Sequence, residues 1–490
     1  MNSFKVKMKY LFYPESLALI GASKNLSKWG FIILHNLLTG RYQGKIYPIN
    51  PKEKEILGLR CYPSILEVPE PVDLAVITIP ARGVPGVMEE CVRKKVKAIV
   101  VISAGFAELG EEGEELQRKI RELSLKANIP VIGPNGQGIS CPEHNLHCWM
   151  PTYFPKPGKI GIISQSGNLL TWLAQGLDYY GFGISKGVSA GNMAVLNWSD
   201  YLWHFAKDPQ TKVILLYIEG IPDGRSFIES AYETSLKKPI VVLKTGRTQA
   251  GVKAARSHTG AMAGEDKIFQ AICNQTGMIR VETMEEAIVI SAGLVATPAP
   301  GGRRVGILTG GGGMGVMSAD YCLEHGLEVA ELSPSTLEKL KKMLPPWWVP
   351  GNPVDLVAGI GYASPRQVMP VLIESGDIDS LLLIGVGWAH SIPDLAKISP
   401  LKEVLDLEKF DQQRKEADLK YCRIIRGMIQ EYNFPILPVS TVIQQAFIRD
   451  LKSLKELLLS EVMVYPNIEL AIRSLKSITE YHLWRRARAG

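Results

Sequence analysis

Leu17-Ala18-Leu19-Ile20-Gly21-Ala22-Ser23-Lys24, followed at a short distance by Trp29-Gly30, sets the fold class of this 490-residue chain. Four apolar residues run into a glycine turn, and a helical pattern follows: the strand–turn–helix unit of a parallel, doubly wound sheet. Apolar runs at 45–49, 74–78, 98–102 and 130–132 read as further strands of the same sheet. In such sheets the C-terminal strand ends border one crevice, and backbone N–H groups at a helix start can hold a phosphate there.

The residues around that crevice bear on the ligand. An NAD site needs G-x-G-x-x-G in the first turn and an acidic residue after the second strand. Here the turn reads Gly21-Ala22-Ser23-Lys24-Asn25, and the second strand ends Asn50-Pro51-Lys52, with no carboxylate until Glu53. A lysine in each place suits a ligand with additional phosphates, such as coenzyme A; two surface lysines at loop ends would read the same way. Ile79-Pro80-Ala81-Arg82, Ser103-Ala104-Gly105-Phe106 and Gly133-Pro134-Asn135-Gly136 close the next three strands and form the rim of the same cleft. From Glu108 to Lys126 the chain is charged, acidic first and basic last, and reads as a solvated helix aligned with its dipole.

After a Pro-rich turn at 151–158 the alternation resumes. A strand at 159–163 leads into Ser164-Gln165-Ser166-Gly167-Asn168, a turn that offers N–H groups and two hydroxyls to an anion. It is close to a nucleophile elbow, but Ile162 stands where G-x-S-x-G has its first glycine. The strand 213–218 delivers Glu219-Gly220 to the same edge, and 240–243 delivers Lys244-Thr245-Gly246-Arg247. Then comes Ser257-His258-Thr259-Gly260-Ala261-Met262-Ala263-Gly264. A carboxylate, an imidazole and an anion-binding helix start are what phosphoryl transfer to histidine requires. Residues 296–303 read as a linker. A third unit opens with a strand at 304–308 and Thr309-Gly310-Gly311-Gly312-Gly313-Met314-Gly315, which lacks the Lys-Ser/Thr of a P-loop. Residues 352–355 and 381–384 continue it, 394–420 reads as a surface insertion, and 468–488 as an amphipathic basic helix.

Composition narrows the class. Hydrophobic residues at 46%, charged residues at 21% and 46 glycines fit an ordinary α/β protein of two to four domains. The net charge of +6 leans on Arg485, Arg486 and Arg488, which gives nucleic-acid binding little support. Seven scattered cysteines without ligand spacing indicate buried thiols in a reducing compartment and no metal site. The first ten residues precede no signal-type apolar core, and no stretch reaches the ~20 apolar residues of a membrane span. The expected location is cytoplasmic, without a membrane.

Over residues 12–460 the spaced motifs resemble the α subunit of the ADP-forming acyl-CoA synthetases, relatives of succinyl-CoA synthetase. The resemblance rests on Ser257 to Gly264, Tyr217-Ile218-Glu219-Gly220, Ser164-Gln165-Ser166-Gly167, Gly191-Asn192 and Gly133-Pro134-Asn135, in that family's order. It implies an α/β chain with a Rossmann-like CoA-binding domain at 1–145 and a flavodoxin-like ligase domain with a phosphohistidine loop at 155–297. A second flavodoxin-like domain at 303–465 and a basic terminal helix at 466–490 complete it. His258 would be phosphorylated and Glu219 would orient it, while Ser164, Gln165, Ser166, Gly167, Thr259 and Gly260 would hold the phosphoryl group. CoA would lie against Gly21, Ala22, Ser23, Lys24, Asn50, Pro51, Lys52, Ile79, Pro80, Ser103 and Asn135.

The implied reaction interconverts acyl-CoA, ADP and phosphate with a carboxylic acid, CoA and ATP. The family's ATP-grasp module is not recognisable in this chain. A β subunit holding Mg2+ and ADP/ATP is therefore implied, in a heterotetramer of two α and two β subunits. Two departures bear on the acid substrate. Family members commonly carry a Cys after Gly-Pro-Asn, where this chain has Gly136-Gln137, and an acidic residue shortly after Gly-Asn, where it has Met193-Ala194-Val195-Leu196-Asn197. Trp149, Trp172, Trp198 and Trp203 are either core or the walls of a larger acyl pocket. The rival readings are a CoA-binding regulatory protein without phosphoryl transfer and an NAD(P)-dependent dehydrogenase.

Overall fold

The computed structural model describes residues 3–251, 266–356, 365–387, 393–446 and 451–488. The motif from Ser257 to Gly264, with His258, Thr259 and Gly260, lies outside the described residues. The chain divides into two units, Met1–Ala287 and Ile288–Gly490, and the boundary falls within the helix Met284–Ala296.

In the first unit, β1 (Ser16–Ile20), β2 (Lys45–Ile49), β3 (Leu74–Ile77), β4 (Ala98–Val101) and β5 (Val131–Ile132) form an all-parallel sheet in the order β2-β1-β3-β4-β5. Every residue of β1, β3 and β4 is buried, as expected of strands covered on both faces. Three helices serve it: α1 (Trp29–Thr39), α2 (Val84–Lys94) and α3 (Glu111–Ala127). The strand order reverses between β1 and β3, and that is where a doubly wound sheet opens its crevice. The turn after β1 depends on two glycines. Gly21 sits at φ +92°, and a Cβ on Gly30 would lie 1.9 Å from the Gly21 carbonyl oxygen, so α1 can start against the turn only with glycine there.

A second sheet follows within the same unit. The hairpin β6 (Gly138–Cys141) and β7 (Leu146–Trp149) precedes the strands β8 (Pro157–Ser164), β9 (Ile184–Ser189), β10 (Val213–Ile218), β11 (Ile240–Lys244) and β12 (Ile279–Val281). Their order is β12-β11-β10-β8-β9-β6-β7. The five later strands repeat the winding of the first sheet, with the reversal between β8 and β10, and β6 adds antiparallel to the β9 edge. The hairpin lies on both sides of residue 145, so the second sheet begins before the Pro-rich turn.

One hydrophobic core runs through both sheets: Met8, Leu11 and Phe12 pack in the same cluster as Leu17 and Leu19 of β1, Ile163 of β8 and Phe205. Beside it Lys186, fully buried, pairs with Asp208 at 2.5 Å, and its ammonium lies 5.0 Å from the Tyr13 ring centre. The N-terminal segment thereby joins the two sheets.

The second unit contains β13 (Arg304–Thr309), β14 (Glu328–Val329), β15 (Val354–Asp355), β16 (Ser380–Ile384) and β17 (Ile436–Val439). They run parallel in the order β14-β13-β16-β17, with β15 paired to the end of β13. The glycine run after β13 opens the helix Gly312–Glu324. Residues 394–420 lie largely at the surface, as expected, but belong to a regular element of the fold rather than an insertion. They lead into and form much of the helix Leu407–Tyr432, which buries Asp418, Cys422 and Ile425 and delivers the chain to β17. Two of its acidic residues, Asp411 and Asp418, lie on the buried face, which concealed the inner stripe in the sequence. The last helix, Ile468–Arg486, buries Leu475, Ile478 and Tyr481, and Arg486 donates to the Gly301 carbonyl at 2.9 Å. All seven cysteines are free and buried, and no helix among the described residues is long and apolar enough to cross a membrane.

Candidate functional site

A cavity of about 880 Å3 in the first unit is bounded by the strand ends of the first sheet and the first turn of the second. The turn after β1 contributes Gly21, Ala22 and Ser23, and the residue after β2 is Asn50. Ile79 and Pro80 follow β3, Ser103 follows β4 and Asn135 follows β5. Asn50 donates from Nδ2 to the Ala22 carbonyl at 2.8 Å and accepts the Lys52 N–H at 2.9 Å. Where a nicotinamide enzyme needs a carboxylate, this chain therefore has an amide engaged in bracing the turn. Ser103 Oγ donates to the Ile79 carbonyl at 2.5 Å, tying two rim loops together.

Three of the expected CoA residues, Lys24, Pro51 and Lys52, do not line the cavity. The turn carries Lys24 outward, where it pairs with Glu53 at 2.8 Å. The lysine on the wall is Lys28, the residue that caps α1. Glu108 is the other charged side chain that lines it among the described residues.

On the opposite wall lie Gln165, Ser166 and Gly167, at the start of α4 (Gly167–Tyr179). Ser164 is fully buried. Its hydroxyl donates to the Ser166 carbonyl at 2.5 Å and accepts the Ser166 N–H at 3.1 Å, which tightens the turn. Ser166 caps α4 with extended backbone and makes no side-chain capping bond, so the first-turn N–H groups carry the helix's positive end into the cavity.

The pairing of Ser164 with Tyr217 between β8 and β10 brings Gln165 beside Glu219. Gln165 Oε1 accepts the N–H of Glu219 at 2.6 Å and of Gly220 at 3.0 Å, and Trp198 Nε1 donates to the Gly220 carbonyl at 3.1 Å. Glu219 is buried and does not line the cavity; it is held from the cavity wall through Gln165. Burial, and then the nearby Glu219 charge, raise the Tyr217 hydroxyl pKa against a hydrogen bond with Thr245. Burial lowers the pKa of the Lys244 ammonium, which donates to the Thr245 carbonyl at 3.0 Å.

Sequence reasoning missed Glu108. It sits in a short turn, Ala107–Leu109, before α3. Its carboxylate accepts the N–H groups of Gly105 (2.7 Å) and Phe106 (3.1 Å) and the Asn192 amide (2.6 Å). Asn192 in turn accepts from Asn135 at 3.2 Å, so this chain of bonds links the two sheets along the cavity. Burial opposes the Glu108 charge, but these donors outweigh it and hold the carboxyl below its usual range. A Glu three residues after a loop glycine was the available signal.

The family departures have packing reasons. A Cβ on Gly136 would lie 2.6 Å from the Ser189 carbonyl oxygen, so the backbone leaves no room for a side chain. Ala194 and Val195 pack against the core of the first sheet, where a carboxylate would be buried. None of the four tryptophans lines the cavity. Trp149 and Trp198 are core, Trp172 is exposed, and Trp203 lies beneath Lys5 and Lys207.

Fold and cavity together define a doubly wound α/β protein with a cleft at the strand ends beside the N-terminal end of a helix. The family described as the CoA binding domain matches residues 15–142, the succinyl-CoA ligase like flavodoxin domain 157–294, and the Ligase-CoA domain 305–403. The chain is 45% identical over 360 residues to an ADP-forming acetate–CoA ligase of Methanocaldococcus jannaschii, covering 74% of this chain and 50% of that one. It is 38% identical over 394 residues to the alpha subunit of ADP-forming acetate–CoA ligase II of Pyrococcus furiosus, covering 80% of this chain and 84% of that one. A solved structure, the dinucleotide-forming acetyl-coenzyme A synthetase 1 of Candidatus Korarchaeum cryptofilum with phosphate and ADP, superposes with a TM-score of 0.82. That match has 32% identity over 98% of this chain and 97% of the other. The chain belongs to the ADP-forming acyl-CoA synthetases of the succinyl-CoA synthetase superfamily. It spans about half the length of the Methanocaldococcus relative.

Proposed function

We propose that this chain is the α-type part of an ADP-forming acyl-CoA synthetase, interconverting acyl-CoA, ADP and phosphate with a carboxylic acid, CoA and ATP. The observation that carries this reading is one cavity bordered both by the strand ends of the CoA binding domain and by the uncapped start of α4. Such a cavity can hold a thioester and inorganic phosphate in attacking contact, with helix N–H groups on the dianion.

A phosphate oxygen attacks the thioester carbonyl, the C–S bond breaks, and CoA leaves as the thiol once protonated; the product is an acyl phosphate. His258 then attacks phosphorus, the P–O bond to the acyl group breaks, and the carboxylate departs. Transfer from phosphohistidine to ADP yields ATP and restores the imidazole. Glu219 accepts one imidazole N–H and leaves the other nitrogen free to attack. Ser166, Gly167, Thr259 and Gly260 hold the phosphoryl group, Ser164 acts by tightening their turn, and Gln165 by bracing Glu219. Gly21, Ala22, Ser23, Asn50, Ile79, Pro80, Ser103 and Asn135 form the CoA cleft, with Lys28 on its wall and Lys24, Pro51 and Lys52 outside it.

Residues 1–145, 155–297 and 303–465 are assigned as the CoA, phosphohistidine and second flavodoxin-like domains, and 466–490 as the terminal helix. ADP/ATP and Mg2+ are placed on an ATP-grasp partner, in an assembly of two α and two β chains in the cytoplasm. The Pyrococcus relative's designation as an alpha subunit supports a partner, and the names of that relative and the Methanocaldococcus one favour acetate. Mixed with an ATP-grasp chain, this protein should form ATP from acetyl-CoA, ADP and phosphate, with one CoA thiol released per ATP. NAD(P) reduction without thiol release would overturn the reading.

A further inference from the structure

We propose that Gln137 fixes the pantetheine arm of CoA: its Oε1 accepts an amide N–H of that arm and sets the thiol end against the start of α4. The inference rests on the CoA-thioester reading and assigns a residue to the part of the ligand nearest the chemistry.

Gln137 lines the cavity, and both of its backbone polar groups are engaged. Its N–H donates to Ser189 Oγ at 2.8 Å, and its carbonyl accepts the Met150 N–H at 2.9 Å. The side chain lies directly on Gly167, where an added Cβ would come within 2.1 Å of the Gln137 Cγ. Its Nε2 donates to Asn168 Oδ1 at 2.6 Å, which orients the amide. The other end, Oε1, is buried and accepts no hydrogen bond among the described residues. A buried acceptor without a donor is unfavourable, so a ligand that brings an N–H to this point is selected.

The donors that CoA offers are few. Its pyrophosphate and 3′-phosphate are ionised acceptors. Adenine and ribose carry donors, but the adenosine end belongs with the first-sheet turn at Gly21 to Ser23 and with Asn50, on the other wall. The pantetheine arm carries amide N–H groups, and it must extend towards α4 for the thioester to meet phosphate. Gln137 stands on that path, immediately after Gly136, where the close approach to Ser189 fixes the backbone.

The test is calorimetry on the full chain with two ligands, CoA and adenosine 3′,5′-bisphosphate, the latter lacking the arm. Gln137→Leu should weaken CoA binding about tenfold and leave the bisphosphate unchanged, because one ligand hydrogen bond is lost. Gln137→Glu keeps an acceptor and should restore most of the CoA affinity. Unchanged CoA affinity in Gln137→Leu, equal weakening of both ligands, or failure of Gln137→Glu to recover affinity would each overturn the assignment. Absence of CoA binding in the unsubstituted chain would instead remove the CoA reading on which it rests, and the assignment with it.

Discussion

The side-chain oxygen of Gln165 accepts the backbone N–H of Glu219 at 2.6 Å, so a residue on the cavity wall fixes the strand end that bears the buried carboxylate. Gln165→Leu would leave that N–H and the one on Gly220 without their acceptor. We expect a loss of about 1–3 kcal/mol in stability for the stranded donors, read by urea melting. Histidine labelling should slow by about ten- to a hundredfold as Glu219 loses its position, and Gln165→Glu, which keeps the acceptor, should recover most of the rate. Labelling at the normal rate in Gln165→Leu would show that the bond serves only the fold.

Acid should destabilise the protein before its carboxylates titrate. Burial depresses the pKa of His147 and His204 to about 4, against about 6.5 in an unfolded chain. With the folded value below the unfolded one, the contribution to stability is complete above pH 6.5 and is lost as pH falls towards 4, because the unfolded state takes the protons first. His204 stacks on Phe12 at 5.0 Å, so Phe can replace it in shape. His204→Phe should flatten the fall of Tm between pH 6.5 and 4 relative to the wild type. Parallel Tm curves for the two proteins would contradict the assignment.

Most of the strands and the crevice of the first sheet were legible because uninterrupted apolar runs such as Val213 to Ile218 are strongly patterned and end in turn residues. The hairpin that extends the second sheet was not, since Gly138-Ile139-Ser140-Cys141 and Leu146-His147-Cys148-Trp149 are short, mixed and strand-like only once β9 offers an edge. The rim of the candidate cavity was legible by motif but not by contact. Which lysine faces the cavity depends on turn geometry, which sends Lys24 to Glu53 and leaves Lys28 on the wall. The hold of Gln165 on Glu219 depends on parallel register between β8 and β10, and the closure of Glu108 on Gly105 on a side chain reaching back three residues. Local periodicity contains neither.

In the proposed reaction the chain carries a phosphoryl group on His258. The most direct measurement is incubation with γ-labelled ATP, Mg2+ and an ATP-grasp partner, followed by mapping of the bound phosphate. The expected result is an acid-labile, alkali-stable phosphate on His258, discharged by the carboxylic acid plus CoA, and no label in His258→Ala. Label that persists in His258→Ala, or that maps to another residue, would contradict it.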